Sequence, residues 1–289
     1  MSNSHHMLWF ISLVLVWACQ KNIKEAQPPF EKAPLSVTVN NSIVEASGIA
    51  SSQINPGYLW VHEDSGTPPQ LQLLKKDGTL AKTMSINGAI NIDWEDMALS
   101  KGPNPSIDYV YLGDIGDNNL VRTEYMVYRF AEPGLSVNTI STYDKIRFKY
   151  ADGSHNAEAI MVDNLSKDIY IITKSDNPSR VYKLPYPQSV TSLNSATFIG
   201  ALTFGGVTGA AISVDGKEII IKTYPALNYF LRKAGETIEE SLKKTSVILD
   251  YQLEPQGEAV GFAADNSGFY TLSEKAFSSS VKLNFYKRK

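Results

Sequence analysis

The chain has 289 residues and a mass of 31.9 kDa, with 27 Lys+Arg against 30 Asp+Glu and a formal net charge of −3. That balance offers no cationic face to a phosphate backbone and excludes nucleic acid as a partner. A hydrophobic share of 43% supports a full core and excludes wholesale disorder, and a single cysteine excludes an intramolecular disulfide or a cysteine-based zinc site.

In chain order, the first feature is the apolar run 8–18, LWFISLVLVWA. It is shorter than the about 20 residues that span a bilayer and suits the apolar region of a secretory signal peptide. Cys19 follows Val16-Trp17-Ala18, which resembles the bacterial lipobox, where a small residue precedes a cysteine that becomes acylated. The expectation is a lipoprotein of the bacterial cell envelope, held to the membrane through Cys19, since buried acyl CH₂ groups contribute ~0.8 kcal/mol each. On this reading 1–19 is the signal peptide with its lipobox, 20–34 is a polar, proline-bearing tether, and 35–289 is one domain.

Five short segments of that domain look alike. They are Ser47-Gly48-Ile49-Ala50, Glu95-Asp96-Met97-Ala98, Glu158-Ala159-Ile160-Met161, Ala210-Ala211-Ile212-Ser213 and Glu258-Ala259-Val260-Gly261. Their starts are 48, 63, 52 and 48 residues apart, close to the ~40–50 residues of a propeller blade. After each comes a β-prone run: 58–64, 108–114, 168–174, 218–223 and 268–274. A third run follows in every unit, at 70–76, 125–130, 180–186, 228–233 and 281–289. A fourth follows in the first four, at 79–86, 145–150, 196–204 and 246–253. The last unit is one strand short, and a spare strand, LSVTVN (35–40), precedes the first repeat. Pairing the two closes a ring and removes open sheet edges. The predicted fold is therefore all-β: a five-bladed β-propeller of four-stranded antiparallel blades, with six blades as the alternative because the 63-residue spacing holds extra chain. The one helical candidate, 234–245, is short and polar and reads as a loop insertion.

Loops entering the innermost strand and loops joining second to third strands emerge on one propeller face, and here they are the acid-rich parts of the repeat. Glu95, Glu158 and Glu258 start three of the five repeats and are expected to ring the channel mouth. Carboxylates converging without cations repel one another and gain protons; Ca²⁺ relieves this, since oxygen ligands suit hard ions. The alternative is structural, with these carboxylates accepting backbone N–H groups of neighbouring blades. Asp96, together with Asp114 and Asp117 of Gly113-Asp114-Ile115-Gly116-Asp117-Asn118, joins the candidate metal ligands, although the same residues are default turn formers. His62, His155 and Lys174 fall in loops of this face and are the candidate catalytic groups. Trp60 and Trp94 are expected to pack between blades. No H-E-x-x-H, G-x-S-x-G, Walker or Rossmann motif occurs.

Asn156-Ala157-Glu158-Ala159-Ile160 and Gln256-Gly257-Glu258-Ala259-Val260, each followed by a strand ending in Thr173-Lys174 or Ser273-Glu274, resemble the phytase-like, "esterase-like" β-propellers of secreted bacterial proteins. Asp93-Trp94-Glu95-Asp96-Met97-Ala98 and Tyr111-Leu112-Gly113-Asp114-Ile115-Gly116-Asp117-Asn118 add to the likeness, which spans about 40–289. The resemblance implies a propeller, and an acidic face whose Ca²⁺ ions bind phosphate and activate water. Two functions follow as expectations. The first is a binding protein taking a small molecule, glycan or protein on the acidic face with Ca²⁺. The second is a metal-dependent phosphoester hydrolase, with Glu95, Asp96, Asp114, Asp117, Glu158 and Glu258 on metal, Lys174 on phosphate, and His62 or His155 as general acid/base.

Overall fold

A computed structural model describes residues 28–289. The signal peptide, Cys19 and most of the expected tether lie outside the described residues. Strand β1 (Leu35–Thr38) comes first. Four-stranded units follow: β2 (Ala46–Ser51), β3 (Tyr58–Glu63), β4 (Gln70–Lys75), β5 (Leu80–Ile86), then β6 (Trp94–Lys101), β7 (Asp108–Asp114), β8 (Tyr125–Ala131), with β9 (Thr139–Ile140) intervening before β10 (Asp144–Tyr150). The third unit is β11 (Ala157–Val162), β12 (Ile169–Thr173), β13 (Arg180–Leu184), β14 (Asn194–Ala201). The fourth is β15 (Val207–Ile212), β16 (Glu218–Thr223), β17 (Ala226–Leu231) and, after helix α1 (Ile238–Leu242), β18 (Val247–Leu249). The last holds β19 (Gly257–Phe262), β20 (Gly268–Ser273) and β21 (Lys282–Lys287).

Within each unit neighbouring strands are antiparallel and hydrogen-bonded in chain order. The last sheet runs β19-β20-β21-β1, with Leu35 opposite Phe285 and Thr38 opposite Lys282. The spare strand thus completes the final unit, and the first strands β2, β6, β11, β15 and β19 neighbour one another in a closed cycle. The chain is an all-β, propeller-type protein.

Burial explains why the sheets stack. The inner strands β2, β11 and β19 are buried at every position, whereas outer β10 alternates exposed and buried residues. Sheets covered on both faces read as continuous apolar runs. An apolar layer fills each gap between successive units. Trp60, Leu71 and Leu73 meet Val110, Leu112 and Tyr128; Tyr111, Val127 and Ile146 meet Ile160, Ile171 and Tyr182. At the seam, Ile49, Leu59 and Val61 of the first unit meet Ala259, Tyr270 and Leu272 of the last. Each such side chain contributes roughly 1.5–3 kcal/mol on full burial, so closure of the seam is as apolar as any other gap.

The 63-residue spacing now has a cause. After β8 the chain crosses to the first unit, where β9 pairs in parallel with β5, Ser85 opposite Thr139. On the way Glu132 accepts hydrogen bonds from Trp60 Nε1 (2.8 Å) and from the N–H of Gln53 (3.1 Å). Segment 234–245 departs from expectation, because it contains α1. Thr237 and Glu240 form a reciprocal capping box, and Ile238 and Leu242 are buried against Val181 and Leu202. The T-x-x-E spacing was the signal, but only two apolar residues anchor the turn.

Phe30 is 3% exposed and stacks edge-on against Phe269 (4.8 Å) and Tyr229 (6.0 Å), while the N–H of Glu31 donates to Lys287 O (2.8 Å). Residues at the end of the expected tether are therefore pinned to the chain's last strand. Phe30→Ala should cost ~3–5 kcal/mol of unfolding free energy, read by urea denaturation; a loss under about 1 kcal/mol would show that this clamp does not support the fold.

Candidate functional site

The first strand of every unit carries a β-bulge at the same place. Register slips between Ala46 and Gly48, Trp94 and Asp96, Ala157 and Ala159, Val207 and Gly209, and Gly257 and Ala259. The extra residues are Ser47, Glu95, Glu158, Thr208 and Glu258, all buried. A bulge re-aims its extra side chain, and these meet around the ring. Ser47 Oγ donates to Glu95 O (2.6 Å) and to Glu258 Oε2 (3.2 Å), and Thr208 Oγ1 donates to Gly257 O (3.2 Å). The fourth repeat is thus Thr208-Gly209-Ala210-Ala211, two residues earlier than the sequence match placed it. Below the ring the channel narrows to a cavity of ≈ 50 Å³ lined by Ile49, Met97, Ile160, Ala210 and Val260.

Carboxylates crowd the mouth. Oxygens of Asp64, Asp93 and Glu95 lie within 4.8 Å of one another, as do those of Glu95, Glu158 and Glu258. The two halves are compensated differently. Glu158 accepts from Lys174 Nζ (2.6 Å) and Asn156 Nδ2 (3.3 Å). Glu258 accepts from Tyr224 OH (2.7 Å) and Ser47, with Lys174 Nζ at 3.6 Å. Glu95 is 3% exposed, and no donor among the described residues reaches its carboxylate. A Cβ on Gly116 would meet Glu95 Oε1 and Asp93 Oδ2, so any larger residue in the β7–β8 loop would push these carboxylates out of place.

The electrostatics follow. Burial, then the charge of Glu158, pushes the Glu95 carboxyl well above the ordinary range. Burial raises Asp64 to about 6 and Asp93 in the same direction. Glu158 rises to about 7, burial outweighing the attraction of Lys174, and Glu274 to about 9 through burial and the charge of Glu258. Burial alone would lower Lys174, yet Glu158 and Glu258 hold its ammonium well above its usual value.

Several sequence-predicted residues stand elsewhere. Asp96 is fully buried and lies outside both carboxylate trios of the mouth. It crosses from the second unit to accept N–H groups of Ile160 (3.0 Å) and Ala210 (3.2 Å) besides that of Met97 (2.8 Å), tying three units together. Asp114 pairs with Arg122 (2.8 Å), and Asp117 accepts from the N–H groups of Val121 and Arg122 (2.9 Å each) and from Tyr125 OH (2.9 Å). Both shape the loop, as turn-forming acids do. His62 is not on the face: its ring is fully buried beside Trp94, and burial lowers its pKa to about 4. His155 reaches the mouth side but is held by Asp176 (3.1 Å), Tyr182 OH (2.8 Å) and Asp152 (3.3 Å). Asp64 and Asp93 were absent from the predicted ligand set. Asp93 lies in the bend before β6 and Glu95 is the bulged residue of β6, so the two acids converge through the bend and the bulge, a register that the sequence does not show.

No family model matches the chain, and no curated protein matches it. Among solved structures, a luciferin-regenerating enzyme superposes with a TM-score of 0.51 at 11% identity, covering 89% of this chain and 97% of that one. An auxiliary nutrient binding protein from Bacteroides thetaiotaomicron VPI-5482 gives 0.47 at 9% identity, covering 88% and 69%. At such identity the first likeness speaks to fold alone.

The raised carboxyls set a pH dependence. Each keeps its proton to higher pH in the folded chain than the ~4 of an unfolded carboxyl. The associated stability is present below that value and is lost as pH rises through about 6 for Asp64, 7 for Glu158 and 9 for Glu274. Without divalent cations the melting temperature should fall from about pH 5 to about pH 9, and Glu158→Gln should remove the part of the fall that ends near pH 7. A flat profile in thermal melts would contradict it.

Proposed function

We propose that the chain is a cell-envelope binding protein, a five-bladed propeller whose acidic mouth holds a divalent cation, Ca²⁺, through Asp64, Asp93 and Glu95. One observation carries this reading: Glu95 is a buried carboxylate with no donor among the described residues, facing two further acids whose pKa values are raised. The donor set is all oxygen, and a hard cation that takes about 6–8 oxygens keeps positions for a ligand's own oxygens. A small molecule, a glycan or a protein side chain meets that requirement. The cation supplies the positive charge that binds such a ligand; the bulge aims Glu95 into the mouth, and Gly116 lets the β7–β8 loop pack on Glu95 and Asp93. Attachment through an acylated Cys19 remains part of this reading.

The phosphoester-hydrolase alternative has less in its favour. His62 is buried in the core, His155 is engaged on both ring nitrogens, and Lys174 is committed to two carboxylates.

Ca²⁺ should raise the melting temperature, by about 2.7 kcal/mol of stabilisation at a hundredfold excess over Kd. EDTA should reverse the shift and Glu95→Gln abolish it, with no turnover of a chromogenic phosphomonoester. A shift that survives Glu95→Gln, or none in the wild type, removes the cation site. Separately, Cys19→Ser should move the protein from the membrane to the soluble fraction; unchanged fractionation refutes the lipid anchor.

A further inference from the structure

The mouth contains two carboxylate trios that share Glu95, and they differ in one respect. The Glu95–Glu158–Glu258 trio already has a cation of the protein's own. Lys174 leaves the end of β12 and places Nζ 2.6 Å from Glu158 Oε2 and 3.6 Å from Glu258 Oε1. Tyr224 fixes it there. Lys174 Nζ donates to Tyr224 OH (3.1 Å), that hydroxyl donates onward to Glu258, and the ammonium lies 5.1 Å from the Tyr224 ring centroid. The Asp64–Asp93–Glu95 trio has no ammonium or guanidinium partner among the described residues: Arg122, the basic side chain of the adjoining loop, is paired with Asp114.

Two like-charged trios joined by one carboxylate invite two metal ions. An ammonium bridging two carboxylates of one trio occupies the region in which a second ion would sit, and its charge opposes a second ion nearby. We infer that Lys174 is a tethered counter-ion that fixes the cation stoichiometry of the mouth at one, and that its removal opens a second divalent site at Glu95, Glu158 and Glu258. The inference rests on the cation reading above. It also bears on chemistry: a pair of ions clamping attacking and leaving oxygens, as two-metal phosphoester enzymes use, is not available while Lys174 stands in place, so the native mouth binds.

The test is cation stoichiometry on the full chain, by equilibrium dialysis against Ca²⁺ and by titration with Tb³⁺ luminescence as a second readout. The wild type is expected to take one equivalent, and Lys174→Gln and Lys174→Met two. Lys174→Arg, which keeps the charge, and Lys275→Gln, a lysine in the β20–β21 loop, should stay at one. Glu95→Gln in the Lys174→Gln background should lower the count, because both trios use that carboxylate. Circular dichroism confirms that each variant is folded, and Lys174→Met serves if Lys174→Gln is not. Two equivalents in the wild type, or one in both folded neutral variants, overturns the role of Lys174 and leaves the Asp64–Asp93–Glu95 site standing. No binding by any chain sinks that site, and this inference with it.

Discussion

The repeated bulge in the innermost strands is the constraint on which the site depends. A regular inner strand would send alternate side chains into the gaps between units, where the apolar layers lie. One extra residue per strand breaks that alternation once and sends Ser47, Glu95, Glu158, Thr208 and Glu258 toward the axis instead. The same scaffold therefore keeps apolar faces for stacking and a polar ring for binding. Asp96, one position further along, locks the arrangement by accepting N–H groups from two other units. Its acceptance of three backbone donors matters because each buried N–H left unmade costs about 1–3 kcal/mol.

Charge at the mouth is balanced locally rather than on average. Glu158 and Glu258 gather hydroxyl, amide and ammonium donors from neighbouring loops, and Glu95 has none among the described residues. A protein selected only for stability would replace such a group with an amide or an apolar side chain, since an uncompensated buried acid is a burden. Glycine at 116 lets the β7–β8 loop pack directly on Glu95 Oε1 and Asp93 Oδ2, where a larger residue would have to displace both carboxylates.

The fold was legible because a propeller repeats itself. Four β-prone quartets, a final trio and one displaced strand state the topology, and the pairing of β1 with β21 follows from counting. What escaped was register. Ala210-Ala211-Ile212 looks like its counterparts because small and branched residues recur in inner strands, but the bulge puts Thr208 in the ring, and a hydroxyl there gave no chemical clue. The site was half legible for a related reason. Acids of one loop face are easy to find, but sequence does not say which of them a neighbouring backbone or guanidinium has already satisfied, as with Asp96, Asp114 and Asp117. His62 shows the limit of loop assignment, since one residue of strand register separates the face from the core.

Phe30 lies beyond the end of β21, next to Arg288, whereas the bulged starts of the inner strands lie at the far end of the same sheet. Chain that leads in through Pro28 therefore reaches the ring at its base. The Phe30 clamp and the carboxylate ring thus sit at opposite ends of the same strands, so a change at one is separated from the other by the full length of a sheet.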